Sequence, residues 1–177
     1  MPTPSPTVLL FDLGGVLVPW VGFEAIAKLT GLSGPQISDK FETSEILYAY
    51  QIGGCSDDEF CEEMLSVFNF DMNLSEFKSA WRAWVLDPYK GTLDALDKLR
   101  PKYTLACLSN TNALHWEDMT FLGNRLDCPM ASHILGQVKP DLKFYKTAHD
   151  ILGVSAENIW FFDDTLANVD AAKIYGF

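Results

Sequence analysis

The feature that most constrains the fold is an alternation of short apolar segments with helical patterns. Apolar runs typical of buried β-strands occupy residues 7–11, 103–108, 133–135 and 158–162. Leucines and aromatic residues at helical spacing predict one helix over 90–100, before the second apolar run, and another over 141–152, between the third and the fourth. Because strands that alternate with helices form parallel sheets covered on both faces, we expect an α/β fold with a Rossmann-like core.

The segment between the first two predicted strands, residues 12–102, is far longer than one crossover helix requires. It carries helical patterns of its own over 23–29 and 44–51, and Ser56 with Glu59 forms a capping-box signature for a helix that ends at Phe68. Ser75 is the predicted cap of a further helix through Trp84. We therefore predict a helical cap inserted after the first strand, over residues 18–86, and a core formed by 1–17 and 87–177.

Polar residues follow each predicted strand at its carboxyl end. They are Asp12 after the first, Ser109 and Asn110 after the second, Lys139 after the third, and Asp163 with Asp164 after the fourth. An open parallel sheet builds its site at this edge. Taken singly, each residue also fits a turn former or a helix cap. Their joint order favours a site in which carboxylates bind Mg²⁺ while a cation and hydrogen-bond donors hold a phosphoryl group.

Charge and cysteine usage exclude several classes of function. The 24 acidic residues outnumber the 13 basic ones, and the resulting formal charge of -11 repels nucleic acid and anionic membrane surfaces. The four cysteines form no C-x-x-C pair, which favours reduced thiols. The proline-rich start lacks the basic and apolar regions of a signal peptide, so we expect a cytoplasmic protein.

Four motifs resemble, in order, those of the haloacid dehalogenase-like hydrolase superfamily: FDLGGVL, LSNTN, KPDLKFY and FFDDTLANVDAA. The resemblance covers essentially the whole chain outside the helical insert. It is greatest to the small sugar-phosphate phosphatases similar to bacterial alpha-D-glucose-1-phosphate phosphatase. It implies a magnesium-dependent phosphatase that acts on a small phosphorylated metabolite such as a sugar phosphate.

The resemblance also implies roles for individual residues. Asp12 would attack phosphorus and form an aspartyl phosphate, while Lys139, Ser109 and Asn110 would neutralise or bind the phosphoryl oxygens. Mg²⁺ would be held by Asp12, the backbone carbonyl of Gly14 and Asp164. Asp163 would support this set by orienting Lys139 or a metal-bound water.

Two features depart from the family pattern. Gly14 stands where the family generally has a second aspartate that serves as general acid and base. The chain also stops at Gly176 and Phe177, directly after the last motif, which we interpret as a truncated domain. Two alternatives stay open: a dehalogenase of the same fold that uses Asp12 at carbon, and a non-catalytic binding protein, which Gly14 and the short C-terminus favour.

The predicted cap is rich in aromatic residues, among them Trp20, Phe23 and Trp81. At helical spacing such residues are typical of a cap's own core, and the alternative is that they shape a pocket for a sugar ring. His115 is typical of a helix-surface or core histidine rather than a catalytic base.

Overall fold

The computed structural model describes residues 6–177, and its centre is a four-stranded parallel sheet. The strands are β1 (Val8–Phe11), β2 (Thr104–Ser109), β3 (Cys128–Ala131) and β4 (Ile159–Phe162), in the order β3-β2-β1-β4. Phe11, the last residue of β1, lies opposite Cys107 of β2 and Phe162 of β4. The carboxyl ends of β1, β2 and β4 therefore reach the same edge of the sheet, and the predicted α/β fold is confirmed.

Ten α-helices and two short 3₁₀ segments, at Met119–Arg125 and Ala156–Asn158, complete the described part of the chain. The helices are α1 (Gly22–Thr30), α2 (Gly34–Glu42), α3 (Glu45–Gln51), α4 (Asp57–Phe68), α5 (Leu74–Ala83), α6 (Thr92–Leu99), α7 (Ala113–Asp118), α8 (Ser132–Leu135), α9 (Leu142–Leu152) and α10 (Leu166–Tyr175).

The two faces of the sheet are buried by different helices. Val8 and Leu10 pack in one cluster with Phe144 and Ala148 of α9 and with residues of α10. Leu9 and Phe11 point into a second cluster with α6 and the 3₁₀ segment that follows α7. Side chains that alternate along β1 thus enter opposite clusters, as expected for a strand covered on both faces.

Helices α1–α5 form a separate cluster around buried aromatic and sulfur-containing side chains, with Phe60, Met64, Phe77 and Trp81 each at most 2% exposed. We call these five helices the cap helices. The capping box predicted for Ser56 is confirmed, because the Ser56 N–H donates to Glu59 Oε2 at 2.9 Å and α4 begins at the next residue. The division of the chain into a cap over 18–86 and a core stays a prediction.

The two connections between the cap helices and the sheet run side by side. Trp20 and Val85 form an antiparallel bridge, the Val21 N–H donates to the Trp84 carbonyl at 2.8 Å, and the Leu86 N–H donates to the Pro19 carbonyl at 3.0 Å. These hydrogen bonds fix where the chain enters and leaves the cap helices, close to the end of β1.

Two sequence predictions about elements are wrong. The third strand is Cys128–Ala131 rather than 133–135, which instead belongs to the one-turn helix α8 that ends at Gly136 in the left-handed region. Pro129 is compatible with a strand here because β3 lies at the edge of the sheet and pairs with β2 alone. The cap of α5 is Asn73, whose Oδ1 accepts from the Glu76 N–H, rather than Ser75.

Within residues 6–177, no helix has both the length and the apolar character needed to cross a bilayer. The proline-rich start discussed above falls largely on residues 1–5, which lie outside the described residues.

Candidate active site

The carboxyl edge of the sheet brings together the polar residues predicted from the sequence. Asp12 directly follows β1, and its N–H donates to the carbonyl of Phe162, the last residue of β4, at 2.8 Å. This bond extends the pairing of β1 with β4 by one residue and places Asp12 beside Asp163 and Asp164. Ser109 ends β2 on the other side of β1.

Lys139 lies at the centre of this group. Its Nζ is 3.0 Å from Asp12 Oδ2 and 2.6 Å from Asp163 Oδ2, and its side chain is fully buried. A buried ammonium is costly unless it is paired, and these two carboxylates supply the pairing. Lys139 therefore bridges the two acidic strand ends.

Asp163 is held in place by donors other than Lys139. Asn168 of α10 directs its amide at both carboxylate oxygens, at 3.0 and 3.1 Å, and the Thr165 N–H donates to Oδ1 at 2.9 Å. With Lys139 these donors use both oxygens of a side chain that is fully buried. Sequence reasoning missed Asn168, although it lies five residues after Asp163 within the fourth motif.

The side chain of Asn110 holds the backbone of Lys139. Its Nδ2 donates to the Lys139 carbonyl at 2.9 Å, and its Oδ1 accepts from the Lys139 N–H at 2.8 Å. The predicted contact of Asn110 with a phosphoryl group would therefore come from groups other than this amide. Ser109 is 2% exposed and lines the cavity described below.

Three carboxylates converge on the same point. Asp12, Asp163 and Asp164 each place one oxygen within 4.8 Å of the others. With Lys139 as the one cation in this cluster of described residues, three negative charges and one positive charge leave a net charge of -2. Oxygen ligands with excess negative charge are what a hard divalent cation requires, so this group fits Mg²⁺.

Gly15 makes room for Asp164, and sequence reasoning did not single it out for that role. A Cβ atom at Gly15 would lie 2.0 Å from Asp164 Oδ2, and the residue has φ +74°, in the left-handed region. Both the close approach and the backbone conformation require glycine. The GG pair after Asp12 was the available sequence signal.

Burial raises the pKa of the Asp12 carboxyl above its ordinary value, because few water molecules reach it. The Lys139 ammonium and the Leu13 N–H, which donates to Asp12 Oδ1 at 2.7 Å, act in the opposite direction. Both contacts stabilise the ionised carboxylate. Loss of Lys139 would therefore favour the protonated, unreactive form of Asp12.

A cavity of about 500 Å³ opens above Asp12, between the strand ends and the cap helices. Its floor includes Asp12, Ser109 and Asp164, and its opposite wall includes Trp20 and Phe41. A larger cavity of about 860 Å³ lies among α2, α3 and α4, but none of the strand-end residues lines it. The strand-end residues are therefore associated with the smaller cavity alone.

His115 is a buried residue of α7 that joins the loop after β2 to the cap helices. Asn112 donates to its Nδ1 at 3.1 Å, its Nε2 lies 2.7 Å from the Trp81 carbonyl, and its ring stacks on Trp81 at 5.1 Å. These contacts fit a neutral imidazole with the proton on Nε2. Burial lowers the pKa of His115 to about 4, so it is not poised as a catalytic acid or base.

Known proteins resemble the chain in sequence and in structure. It is 26% identical over 181 residues to D-ribitol-5-phosphate phosphatase of Bacteroides thetaiotaomicron, a match that spans 96% of this chain and 88% of that protein. A HAD family enzyme from the same organism, in complex with magnesium and inorganic phosphate, superposes with a TM-score of 0.82 at 25% identity over 98% of this chain and 92% of that one. A predicted HAD-like hydrolase from Porphyromonas gingivalis gives 0.80 at 26% identity over 98% and 89%.

The family model described as haloacid dehalogenase-like hydrolase matches residues 6–176. This range includes every strand of the sheet and all the strand-end residues. The family read from the four motifs is therefore confirmed, and the chain belongs to the haloacid dehalogenase-like hydrolases.

Proposed function

We propose that this protein is a magnesium-dependent phosphatase that hydrolyses a small phosphomonoester through a phosphorylated Asp12. The observation that carries the proposal is the cluster in which the Lys139 ammonium bridges Asp12 and Asp163 while Asp164 stays exposed beside the cavity. The relative named D-ribitol-5-phosphate phosphatase, and the neighbour crystallised with magnesium and inorganic phosphate, support magnesium-dependent hydrolysis of a phosphomonoester.

In the first step, one oxygen of Asp12 forms a bond to phosphorus while the bond from phosphorus to the leaving oxygen breaks and its electron pair goes to that oxygen. In the second step, water attacks the phosphorylated Asp12, releases inorganic phosphate and restores the carboxylate. Asp12 is placed for the attack on phosphorus, because it lies in the cavity floor and its Oδ2 is 3.0 Å from Lys139 Nζ.

Asp12, Asp164 and the Gly14 carbonyl would hold Mg²⁺, since both oxygens of Asp163 are already used by Lys139 and Asn168. When bound, Mg²⁺ supplies the positive charge that lets two anions, the carboxylate and the phosphate, approach each other. Asp163 would act as a positioning residue that keeps the Lys139 ammonium directed at the cavity floor.

Lys139 and the loop after β2 would bind the transferring group. The ammonium offsets negative charge on the phosphoryl oxygens, and the Ser109 hydroxyl lines the cavity within the same floor. Preorganised donors and cations of this kind act where charge develops in the transition state. The ammonium is preorganised because Asn110 fixes its backbone and Asp163 fixes its tip.

Asp12→Asn tests the proposal. The amide is nearly isosteric with the carboxylate but a very poor nucleophile, so phosphate release from an aryl phosphate with Mg²⁺ should fall to background while far-UV circular dichroism stays unchanged. Asp150→Asn, on the exposed surface of α9, is a matched control that should retain full activity. Rapid acid quench of the unmutated enzyme should trap a phosphoryl group on Asp12 by mass spectrometry. Turnover by Asp12→Asn above background would contradict the mechanism.

The same assay separates the two alternatives. A dehalogenase would release chloride from a 2-haloacid without added Mg²⁺ and leave phosphate esters intact. A non-catalytic binding protein would turn over neither substrate. The exposed Asp164 and the net charge of the cluster favour the phosphatase, because only that reaction needs a divalent cation at this point.

Three finer predictions belong to this proposal. The physiological substrate is a small phosphorylated metabolite, such as a sugar phosphate, and the protein works in the cytoplasm. Residues 18–86 act as the cap that covers the phosphorylated substrate. A screen of phosphorylated metabolites with and without Mg²⁺ would identify the substrate.

A further inference from the structure

The cap side of the active-site cavity is mostly apolar. Of the eight described residues that line it from segment 18–86, seven are aliphatic or aromatic and one, Gln51, carries an amide. Trp20, Phe23 and Phe41 form a group with ring centroids 5.4–6.1 Å apart. All three are partly exposed, and we call them the aromatic wall. A flat apolar face of a ligand can pack against such a wall.

None of the described residues that line the cavity is placed to protonate a leaving group. Among the described residues that line it, the titratable side chains are Asp12, His115 and Asp164. Asp12 is the nucleophile and Asp164 a proposed metal ligand. Both ring nitrogens of His115 are already engaged, by Asn112 and by the Trp81 carbonyl. Lys139 is not among the lining residues, and its ammonium is paired with the carboxylates of Asp12 and Asp163.

Gly14, at the place where an acid would be expected, is not required by packing or by the backbone. A Cβ atom there would meet nothing closer than Trp20 Cβ at 3.9 Å, and Gly14 is not among the glycines with positive φ. At the next residue, Gly15, an added Cβ would clash with Asp164, and φ is positive. The fold therefore admits a side chain at Gly14, and the chain does not use one.

We infer that this site is built for phosphate esters whose leaving oxygen departs without being protonated and whose leaving group lays an apolar face on the aromatic wall. Aryl phosphates and phosphates on the anomeric oxygen of a sugar share this chemistry. The bond from Asp12 to phosphorus forms, the ester bond breaks, and the leaving group departs as an anion that later takes a proton from water. The inference rests on the proposed phosphatase function and narrows its substrates.

Single-turnover kinetics on a series of esters tests the inference. The series contains substituted phenyl phosphates of graded leaving-group basicity, alpha-glucose 1-phosphate, and ribitol 5-phosphate as a primary alkyl phosphate. A positioned general acid is worth about a hundred- to ten-thousand-fold in rate. Without one, the first step should depend steeply on leaving-group basicity, and ribitol 5-phosphate should react at least about a hundredfold more slowly than phenyl phosphate. If alpha-glucose 1-phosphate reacts at a rate close to that of phenyl phosphate, the site accepts anomeric as well as aryl phosphates. If it reacts as slowly as ribitol 5-phosphate, the site accepts aryl phosphates only.

Gly14→Asp should restore the missing acid and flatten this dependence, chiefly by accelerating ribitol 5-phosphate. The matched control is Gly34→Asp, which adds the same carboxylate at the start of α2, where a Cβ would meet nothing within 4 Å. Gly34 lies outside the cavity lining, so its variant should keep the steep dependence.

The aromatic wall has its own test, in Phe23→Ala and the more conservative Phe23→Leu. Both should raise KM for phenyl phosphate several-fold, Ala more than Leu, while inhibition by inorganic phosphate, which has no apolar part, stays unchanged. An equal loss of affinity for inorganic phosphate would overturn the role of the wall.

A flat series in the unmutated enzyme, or ribitol 5-phosphate turned over as fast as phenyl phosphate, would overturn the inference while the proposed function stands. No hydrolysis of any ester with Mg²⁺ present would overturn the proposed function itself, and the inference with it. If Gly14→Asp folds but leaves the series as steep as before, the missing acid is not its cause, and the inference fails.

Discussion

At the scale of single residues, the proposed active site depends on residues that hold its strand-end groups in place. Asn110 fixes the backbone of Lys139, Asn168 fixes the carboxylate of Asp163, and Gly15 leaves the space that Asp164 occupies. Outer contacts of this kind are typically worth 10- to 100-fold in metal affinity or activity. The loss of such a contact should therefore be measurable as a change in metal affinity or activity.

Gly15→Ala should weaken Mg²⁺ binding. The new Cβ would lie 2.0 Å from Asp164 Oδ2, so the carboxylate must move away from Asp12. Gly31→Ala is the control. Gly31 has the same φ of +74°, but an added Cβ would meet nothing within 4 Å, so this substitution introduces backbone strain without a steric clash. Calorimetric titration with Mg²⁺ should show a loss of roughly tenfold or more for the Gly15 variant and none for the Gly31 variant. Equal Mg²⁺ affinity in both variants would contradict the placement of Asp164.

Asn168→Ala should lower kcat by about tenfold or more while KM changes little, because Asp163 would hold the Lys139 ammonium less firmly. Tyr145→Phe provides the comparison. The Tyr145 hydroxyl donates to the Asn168 carbonyl at 2.8 Å, so its loss affects stability near the same residue but leaves the amide on Asp163. A drop in kcat of the same size in both variants would show that general destabilisation, and not positioning, is responsible.

At the scale of elements, sequence patterns predicted which polar residues meet at the strand ends better than they predicted the residues that hold them in place. Asp12, Ser109, Asp163 and Asp164 were predictable because three apolar strands, β1, β2 and β4, end next to them and parallel pairing brings those ends to one edge. β3 was missed because Cys128–Ala131 contains a proline, and an edge strand tolerates one that a central strand does not. Asn168 and Gly15 were missed because their roles depend on contacts across the fold, which no local pattern encodes.

The junction between α5 and α7 predicts a pH dependence of stability. The pKa of His115 is lowered to about 4 in the folded protein, against about 6.5 when the chain is unfolded. Below pH 6.5 the unfolded state therefore binds a proton that the folded state does not, so stability is fully present above pH 6.5 and falls until about pH 4. At pH 5 the loss amounts to about 2 kcal/mol relative to pH 7.

Urea unfolding at these two pH values, for the unmutated protein and for His115→Gln, measures that contribution. Glutamine does not titrate, so the difference in unfolding free energy between the two proteins should shrink by about 2 kcal/mol as the pH falls from 7 to 5. Other titrating groups, including His133, whose pKa burial also lowers, contribute to both proteins and cancel in the difference. A difference independent of pH would mean that the pKa of His115 is the same in the folded and the unfolded protein.

At the scale of the whole molecule, the net negative charge of the protein and the negative charge of the carboxylate cluster both repel anions. A chain with a formal charge of -11 places three carboxylates and one ammonium at one edge of its sheet, so the site carries uncompensated negative charge inside an already anionic protein. Such a fold opposes an approaching phosphate until a cation is bound. Divalent metal should therefore act on the stability of the protein as well as on its chemistry.

Saturating Mg²⁺ should raise the melting temperature, because a ligand that binds only the folded state stabilises it. At a hundredfold excess over Kd the gain is about 2.7 kcal/mol, which for a chain of this size corresponds to roughly 5–10 °C. The comparison is made by differential scanning fluorimetry against NaCl at the same ionic strength, so that general screening of the negative charge contributes equally to both samples. Asp164→Ala should lose most of the shift, whereas Asp150→Ala removes the same charge from the exposed surface of α9 and should keep it. If both variants keep the full shift, Mg²⁺ acts on the overall charge of the protein and not at the strand ends. The carboxylate cluster would then lose its assignment as the metal site.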